Sequence, residues 1–278
     1  MARLLGLGDN TIDTYVDRGE EYPGGNAVNV AVLARRMGAE ASYCGCLGQD
    51  EAGDLLRAAL AAEGVETSHC RSVAAPNARA FIAHNAGDRQ FLRSSPGCRA
   101  TWGGISTADL DYLATFDIVH SSIFSGLEPY RAALRPAIQR WSFDFSVRGT
   151  PALLDDWLPY LDVAFLSFPD GADDEVAALA GACAERGAGT VVITRGARGA
   201  CGLKGGRVAM APSTPARVVD TLGAGDAFIT AFLLADHAGA SLQDALEQGA
   251  TAAARTCGHF GAFGHGRAWR GSFDHAVS

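Results

Sequence analysis

Short apolar runs rich in β-branched residues alternate along the chain with longer segments whose apolar residues recur every three to four positions. The runs Asp117–His120, Leu161–Leu166 and Thr190–Thr194 read as buried strands, and Met1–Gly8 as a buried first strand. The helical spacing predicts helices over Asn26–Met37, stopped by Gly38, and Glu51–Glu63, stopped by Gly64. Further helices are predicted over Asp173–Arg186 and Leu242–Thr256. Ala200–Leu203 and Arg207–Ala211, joined through Gly205-Gly206, form a hairpin pattern. Strands alternating with helices predict an α/β fold with a mostly parallel sheet between helical layers.

Two stretches break the alternation, Thr11–Tyr22 and Ser72–Ser95. The second contains strand-like Ala78–His84 and Arg89–Arg93 around a turn at Asn85-Ala86-Gly87-Asp88. No helix separates them, so a small antiparallel sheet apart from the main body is expected. The chain reads as one domain over residues 1–278 with this insertion; residues from about Arg267 onward read as loosely held.

A hydrophobic content of 48% supports a large core, and a net charge of −8 argues against a nucleic-acid partner. No apolar run approaches the roughly 20 residues that span a bilayer. Seven cysteines without a CxxC pair suit small buried side chains in a reduced, cytoplasmic setting. The histidines lack zinc-site spacing, and His120, closing an apolar strand, reads as a satisfied core residue.

The chemistry concentrates in two motifs. Asp220-Thr221-Leu222-Gly223-Ala224-Gly225-Asp226 runs directly into an apolar helical stretch. A glycine-rich turn opening a helix offers unpaired N–H groups and the positive end of the helix dipole to an anion. Asp226 has two readings there, a first-turn acid favouring the dipole or a base taking a proton from an attacking hydroxyl. Beside an anion site, the second reading means phosphoryl transfer to an alcohol. Far upstream, Pro23-Gly24-Gly25-Asn26-Ala27-Val28-Asn29 places two amides on one helix face behind open glycine backbone, which suits a polyhydroxy ligand.

In this order the two motifs resemble the signatures of the PfkB/ribokinase family of sugar kinases, from Gly6 to about Gly266. The resemblance implies a ribokinase-like three-layer α/β/α sandwich with a β-lid over the sugar, supplied by about residues 11–22 and 72–95. It implies ATP and Mg²⁺, with K⁺ a further candidate, a sugar substrate, and a homodimer through the lid. Asp226 becomes the catalytic base, and the N–H groups of Gly223, Ala224 and Gly225 the anion hole. Asp13, Gly25, Asn26 and Asn29 become sugar-binding positions, with Asp9 and Asn10 as secondary candidates. Thr194, Gly196 and Gly199, in Thr194–Gly199, become the nucleotide loop together with Gly223 and Gly225. Arg198 adds positive charge there, whereas Arg195 also reads as a solvated residue. Asp220 is a candidate metal or cation ligand, or an acid at a strand end. His259, Gly261 and Gly264 border the adenine or a cation loop, or make an ordinary turn.

Asp144, in Phe143–Arg148, ends another strand and is a substrate or metal candidate; Arg148 also reads as a plain surface residue. One departure stands out. Relatives carry Asn-x-x-Glu where this chain has Ser167-Phe168-Pro169-Asp170, so Asp170 is left as a shorter magnesium-side acid. That variant, with Gly8–Asp13, Gly24–Ala31, Asp117–His120 and Phe143–Ser146, is similar to the fructoselysine 6-kinases of the family. Phosphorylation of O6 of fructoselysine or a related Amadori sugar is the expectation, with the amino-acid tail toward His84, Asn85 or Arg93. The other readings are a different PfkB-type sugar or nucleoside kinase, acting on ribose, fructose or 2-keto-3-deoxygluconate, and a non-catalytic sugar-binding protein. Gly6-Leu7-Gly8 lacks the third glycine of a dinucleotide turn.

Overall fold

The computed structural model describes residues 1–85, 88–99 and 101–271. Its strands are β1 (Arg3–Gly8), β2 (Thr11–Tyr15), β3 (Glu20–Gly24), β4 (Glu40–Gly48), β5 (Arg71–Val73), β6 (Arg79–Asn85), β7 (Asp88–Ser95), β8 (Ile118–Ser122), β9 (Trp141–Asp144), β10 (Val163–Ser167), β11 (Thr190–Thr194), β12 (Ala200–Lys204), β13 (Arg207–Ala211) and β14 (Arg267–Ala268). The helices are α1 (Asn26–Arg36), α2 (Glu51–Ala62), α3 (Thr107–Leu113), α4 (Arg131–Leu134), α5 (Pro151–Trp157), α6 (Asp173–Glu185), α7 (Ala224–His237) and α8 (Leu242–Thr256).

Nine strands form the main sheet in the order β13-β12-β11-β10-β9-β8-β1-β4-β5. All its pairings are parallel except the β11-β12-β13 edge. Alternation along each strand sends side chains to opposite faces. Leu5, Leu7 and Val119 pack with Leu134, Trp157 and Val176 of α4, α5 and α6 on one face. Leu4, Ile118 and Phe165 pack with Val30, Phe228, Phe232 and Leu246 of α1, α7 and α8 on the other. These two cores make the expected three-layer α/β/α sandwich.

The irregular stretches build a second sheet, ordered β14-β3-β2-β6-β7. It departs from the expectation in three ways. The β2–β6 pairing is parallel, because the chain crosses the main body between them instead of turning back. Residues 71–73 join the main sheet through β4. Arg267–Ala268, read as loosely held, pairs with β3. The expected turn at 85–88 includes residues outside those described.

Backbone need explains how α1 starts. Gly25 has φ +107°, a conformation that side chains rarely adopt, and any Cβ there would press on the Asn10 backbone. The turn brings the Asn26 N–H onto Asp9 Oδ2 at 2.7 Å. Asp9 thus serves as an acceptor at the α1 N-terminus, where helix N–H groups lack internal partners.

Candidate active site

Three strand ends and two helix starts converge at the carboxyl edge of the main sheet, where open α/β folds place ligands. β1 delivers Asp9, β8 delivers His120 and Ser122, and β9 delivers Asp144. α1 presents Asn26 and Asn29 one turn apart, and α7 presents Asp226 in its first turn.

The Asn26 amide is the hub. Its Nδ2 donates to Asp226 Oδ1 at 2.8 Å and to Asp144 Oδ2 at 3.0 Å. Asn29 Nδ2 donates to the other Asp226 oxygen at 2.6 Å. The two upstream amides therefore fix the plane of the Asp226 carboxylate. Asn29 Oδ1 is buried and receives no protein hydrogen bond. It lies on the Gly24 side of the site, where any Cβ on Gly24 would overlap the carboxylate of buried Asp13. Glycine at position 24 thus keeps Asp13 and Asn29 open to one shared space.

Asp144 is set apart by its environment. Burial, with the Asp226 and Asp9 charges nearby, pushes its carboxyl up to about 7 against the Ser146 N–H bond that favours the ionised form. His120 is fully buried, with Nε2 2.7 Å from Asn26 Oδ1 and Nδ1 2.8 Å from Ser142 Oγ. Burial lowers its pKa to about 3, so the ring is neutral at working pH. The core reading of His120 holds, yet its partner is the Asn26 hub.

Asp9 was expected near the sugar. Its oxygens instead accept from Asn26 N–H, from Ser122 Oγ at 2.6 Å and from Ser125 Oγ at 3.0 Å, and it is buried. Asn10 likewise faces inward, to Tyr43 Oη, the Cys46 carbonyl and Asn77. Both brace the site rather than line it.

On the phosphate side, Gly223 has φ +77°, and a Cβ there would overlap Ala262. Gly225 has open space around it and is exposed. The expected three-residue anion hole is altered at one member. Ala224 N–H donates to the Thr221 carbonyl at 3.2 Å, closing the turn on itself. The N–H groups of Gly225 and Asp226 lie in the first turn of α7, where no intrahelical acceptor exists.

Asp220 is wholly buried and spoken for. Leu222 N–H and Gly261 N–H donate to it at 3.0 and 3.1 Å, and Tyr15 Oη makes a short hydrogen bond to it. The metal-ligand reading of Asp220 therefore gives way to a bracing one, joining β2 to the loops before and after α7 and α8. His259 turns its Nδ1 back toward the Gly261 carbonyl, 3.1 Å away.

At the ends of β10 and β11, Ser167 Oγ and Thr194 Oγ1 lie 3.1 Å apart. Gly196 and Gly199, both at positive φ, shape the turn that follows. Arg195, open to a solvated reading, is buried instead, bonded to Asp173 and the Arg198 carbonyl. Arg198 reaches the Asp170 carbonyl at 3.0 Å, and Asp170 itself is exposed. Among the described residues no group of three or more acidic, histidine or cysteine side chains is placed to hold a metal.

The family model for pfkB family carbohydrate kinases matches residues 5–264. The chain belongs to the pfkB family. A fructosamine kinase, FrlD, of Bacillus subtilis is 39% identical over 280 residues, covering 96% of this chain and 95% of that one. A fructoselysine 6-kinase of Escherichia coli is 36% identical over 264 residues, covering 95% and 100%. Among solved structures, Arabidopsis thaliana ribokinase complexed with ribose and ATP superposes with TM-score 0.80 at 23% identity, covering 95% of each chain. Aminoimidazole riboside kinase from Salmonella enterica gives 0.76 at 23% identity, over 94% and 95%. This pfkB protein is thus an ATP-dependent sugar kinase on a ribokinase-like fold.

The chain fits its nucleotide in kind: first-turn N–H groups of α7, an open face at Gly225, and hydroxyls of Ser167 and Thr194 at strand ends. Mg²⁺ fits as an ion held largely by phosphate oxygens and water, which is how this ion is commonly bound beside phosphates. No helix among the described residues is long and apolar enough to cross a membrane.

Proposed function

We propose that the protein phosphorylates the 6-hydroxyl of a fructosamine, fructoselysine or a similar Amadori sugar. The observation that carries this reading is the Asp226 carboxylate, gripped by Asn26 and Asn29 at the open start of α7. ATP supplies the phosphoryl group. Asp226 takes the proton of the primary hydroxyl, and the two amides keep its oxygens facing that hydroxyl. The N–H groups of Gly223, Gly225 and Asp226, without that of Ala224, stabilise charge on the transferred group. Asn29 Oδ1, a buried acceptor without a donor, and Asp13 across Gly24 receive sugar hydroxyls. Gly25 and Asn26 complete the sugar side, while Asp144 acts through Asn26. Thr194, Gly196 and Gly199 line the nucleotide side, and Asp170 would be the acid that helps hold Mg²⁺ there. The names of the two curated relatives favour a fructosamine over other sugars.

The second sheet covers the sugar as a lid, and two chains pair through it. Light scattering checks the pairing; a strict monomer at working concentrations would count against it. His84 and Asn85, once candidates for the substrate tail, have side chains outside those described, and Arg93 is exposed on the edge strand β7.

The test is ADP release with Mg-ATP against fructoselysine, other fructosamines, fructose, ribose, 2-keto-3-deoxygluconate and adenosine. Selective turnover of fructosamines supports the reading. Turnover of another acceptor alone discards the substrate and keeps the kinase. Silence across the panel with ATP bound points to a sugar-binding protein without catalysis.

A further inference from the structure

Positive charge without an acidic partner gathers beside the sugar site. Phe124 follows β8, and its N–H donates to Ser122 Oγ at 3.1 Å, the same hydroxyl that serves Asp9. Arg148 lies four residues past Asp144, with its guanidinium carbon 5.1 Å from the centre of the Phe124 ring. Arg99 comes from a different loop and lies 5.9 Å from the same centre. Both distances fall within cation–π range.

The placement is built, not incidental to floppy loops. Cys98, next to Arg99, is buried and donates its N–H to the Pro76 carbonyl at 3.0 Å. Trp102 Nε1 donates to the Ser125 carbonyl at 2.8 Å, locking the Arg99 loop against the Phe124 loop. Ile123 N–H donates to the Asp144 carbonyl at 3.0 Å, locking the Phe124 loop to β9. Three loops thus meet at one ring, beside the Asp9–Asp144 end of the site.

Among the described residues no carboxylate pairs with Arg99 or Arg148. Arg18, Arg36, Arg71, Arg79, Arg195 and Arg267 all have one, while Arg207, Arg217 and Arg255, away from this ring, share the lack of one. Two guanidiniums sharing a ring repel each other, and in a chain of net charge −8 the counter-charge was available and is not used. Arginine is suited to planar carboxylates, which it binds through paired N–H donors.

We propose that Arg99 and Arg148, braced on Phe124, form a subsite for the carboxylate of the amino acid carried by the sugar. The inference rests on the fructosamine reading above. With O6 at Asp226, the amine-bearing C1 is the far end of the sugar. The loops after β8 and β9 border the site at Asp144, which Asn26 ties to Asp226, and the proposal places C1 on that side. The substrate class is therefore a fructosyl amino acid with a free carboxylate, not a fructosyl amine in general. The carboxylate can belong to an α-linked or an ε-linked amino acid.

The experiment compares kcat/KM of the full-length protein for fructoselysine, fructosylglycine and fructosylcadaverine, which is fructoselysine without its carboxylate. The same rates are taken for the double variant Arg99→Gln, Arg148→Gln. The parent should prefer fructoselysine over fructosylcadaverine by about tenfold or more, mainly through KM, as expected for lost charge-assisted binding. In the double variant that ratio should fall toward one. A loss confined to fructoselysine, or shared by fructosylglycine, supports the subsite and tells which linkage reaches it. A parent ratio near one overturns the subsite even if the variant does not fold. A preference that survives in the folded variant also overturns it, while fructosamine turnover in either case leaves the kinase reading standing. Turnover of an unrelated sugar alone overturns both.

Discussion

The Nε2 of His120 lies 2.7 Å from Oδ1 of Asn26, and this pair sets which way the Asn26 amide faces. Asn Oδ1 only accepts, so Nε2 carries the proton and Nδ1 is left to accept from Ser142. With its oxygen held there, Asn26 must turn its NH₂ toward Asp144 and Asp226. His120→Phe removes that reference and leaves Asn26 Oδ1 buried without a donor. A loss of about 1–3 kcal/mol in stability is expected, as for other orphaned buried acceptors. The kcat should fall while KM for ATP stays near the parent value. Denaturant unfolding and steady-state kinetics check both; an unchanged kcat would remove His120 from the positioning of Asp226.

The same two neighbours make opposite contributions to pH stability. Asp144 keeps its proton up to about 7 in the folded protein and loses it near 3.8 when unfolded. Between those values the folded state holds more protons, so this group makes stability fall as pH rises. His120 is protonated near 6.5 when unfolded but only near 3 when folded. There the unfolded state holds more protons, and stability rises with pH. The windows overlap, so the two slopes partly cancel. Asp144→Asn should leave a melting temperature that climbs more steeply from pH 4 to 6.5 than in the parent. Parallel curves for the two proteins across that window would contradict the raised Asp144 value.

Asp226→Asn tests the base. Turnover is expected to fall by about 10²-fold or more, the low end of what general-base catalysis supplies, while sugar binding survives. Calorimetric titration of the sugar separates the two effects. Near-normal turnover would leave the Asp226 carboxylate as a dipole partner of α7 and no more.

Two glycines two residues apart, Gly223 and Gly225, give contrasting substitutions. Gly223→Ala meets both a positive φ and overlap with Ala262, so it should unfold the turn and lower stability. Gly225→Ala meets neither, and alanine favours a helix by roughly 0.5–1 kcal/mol over glycine. The Gly225 variant should melt no lower than the parent yet work poorly if, as proposed, the phosphoryl group approaches here and meets its methyl group. Retained activity in Gly225→Ala would move the phosphate away from this turn.

Local pattern announced much of this molecule. Thr190–Thr194 and Leu242–Thr256 fall where pattern put them, because the strand is apolar on both faces, the helix on one, and each ends on its own stop signals. The motif from Gly223 to Asp226 was readable for a related reason: Gly223 answers to backbone conformation, which is a local demand. What pattern cannot report is the partner across the chain. Asn26 and Asn29 looked like sugar ligands, and nothing near them in sequence signals a carboxylate about two hundred positions on. The parallel pairing of β2 with β6 depends on a crossover through the main body. Arg99, Phe124 and Arg148 belong to three loops, and His120 has the composition of any buried strand residue.

Asp220 gathers strand β2, the turn before α7 and the loop at Gly261 onto one carboxylate, although Tyr15 stands 205 positions away. A single carboxylate shared in this way makes the three segments open and close together. Their amide protons should exchange with solvent at one common rate, and Tyr15→Phe should quicken all three at once. The second sheet and the turn before α7 would then breathe as one unit, so that loosening either exposes both.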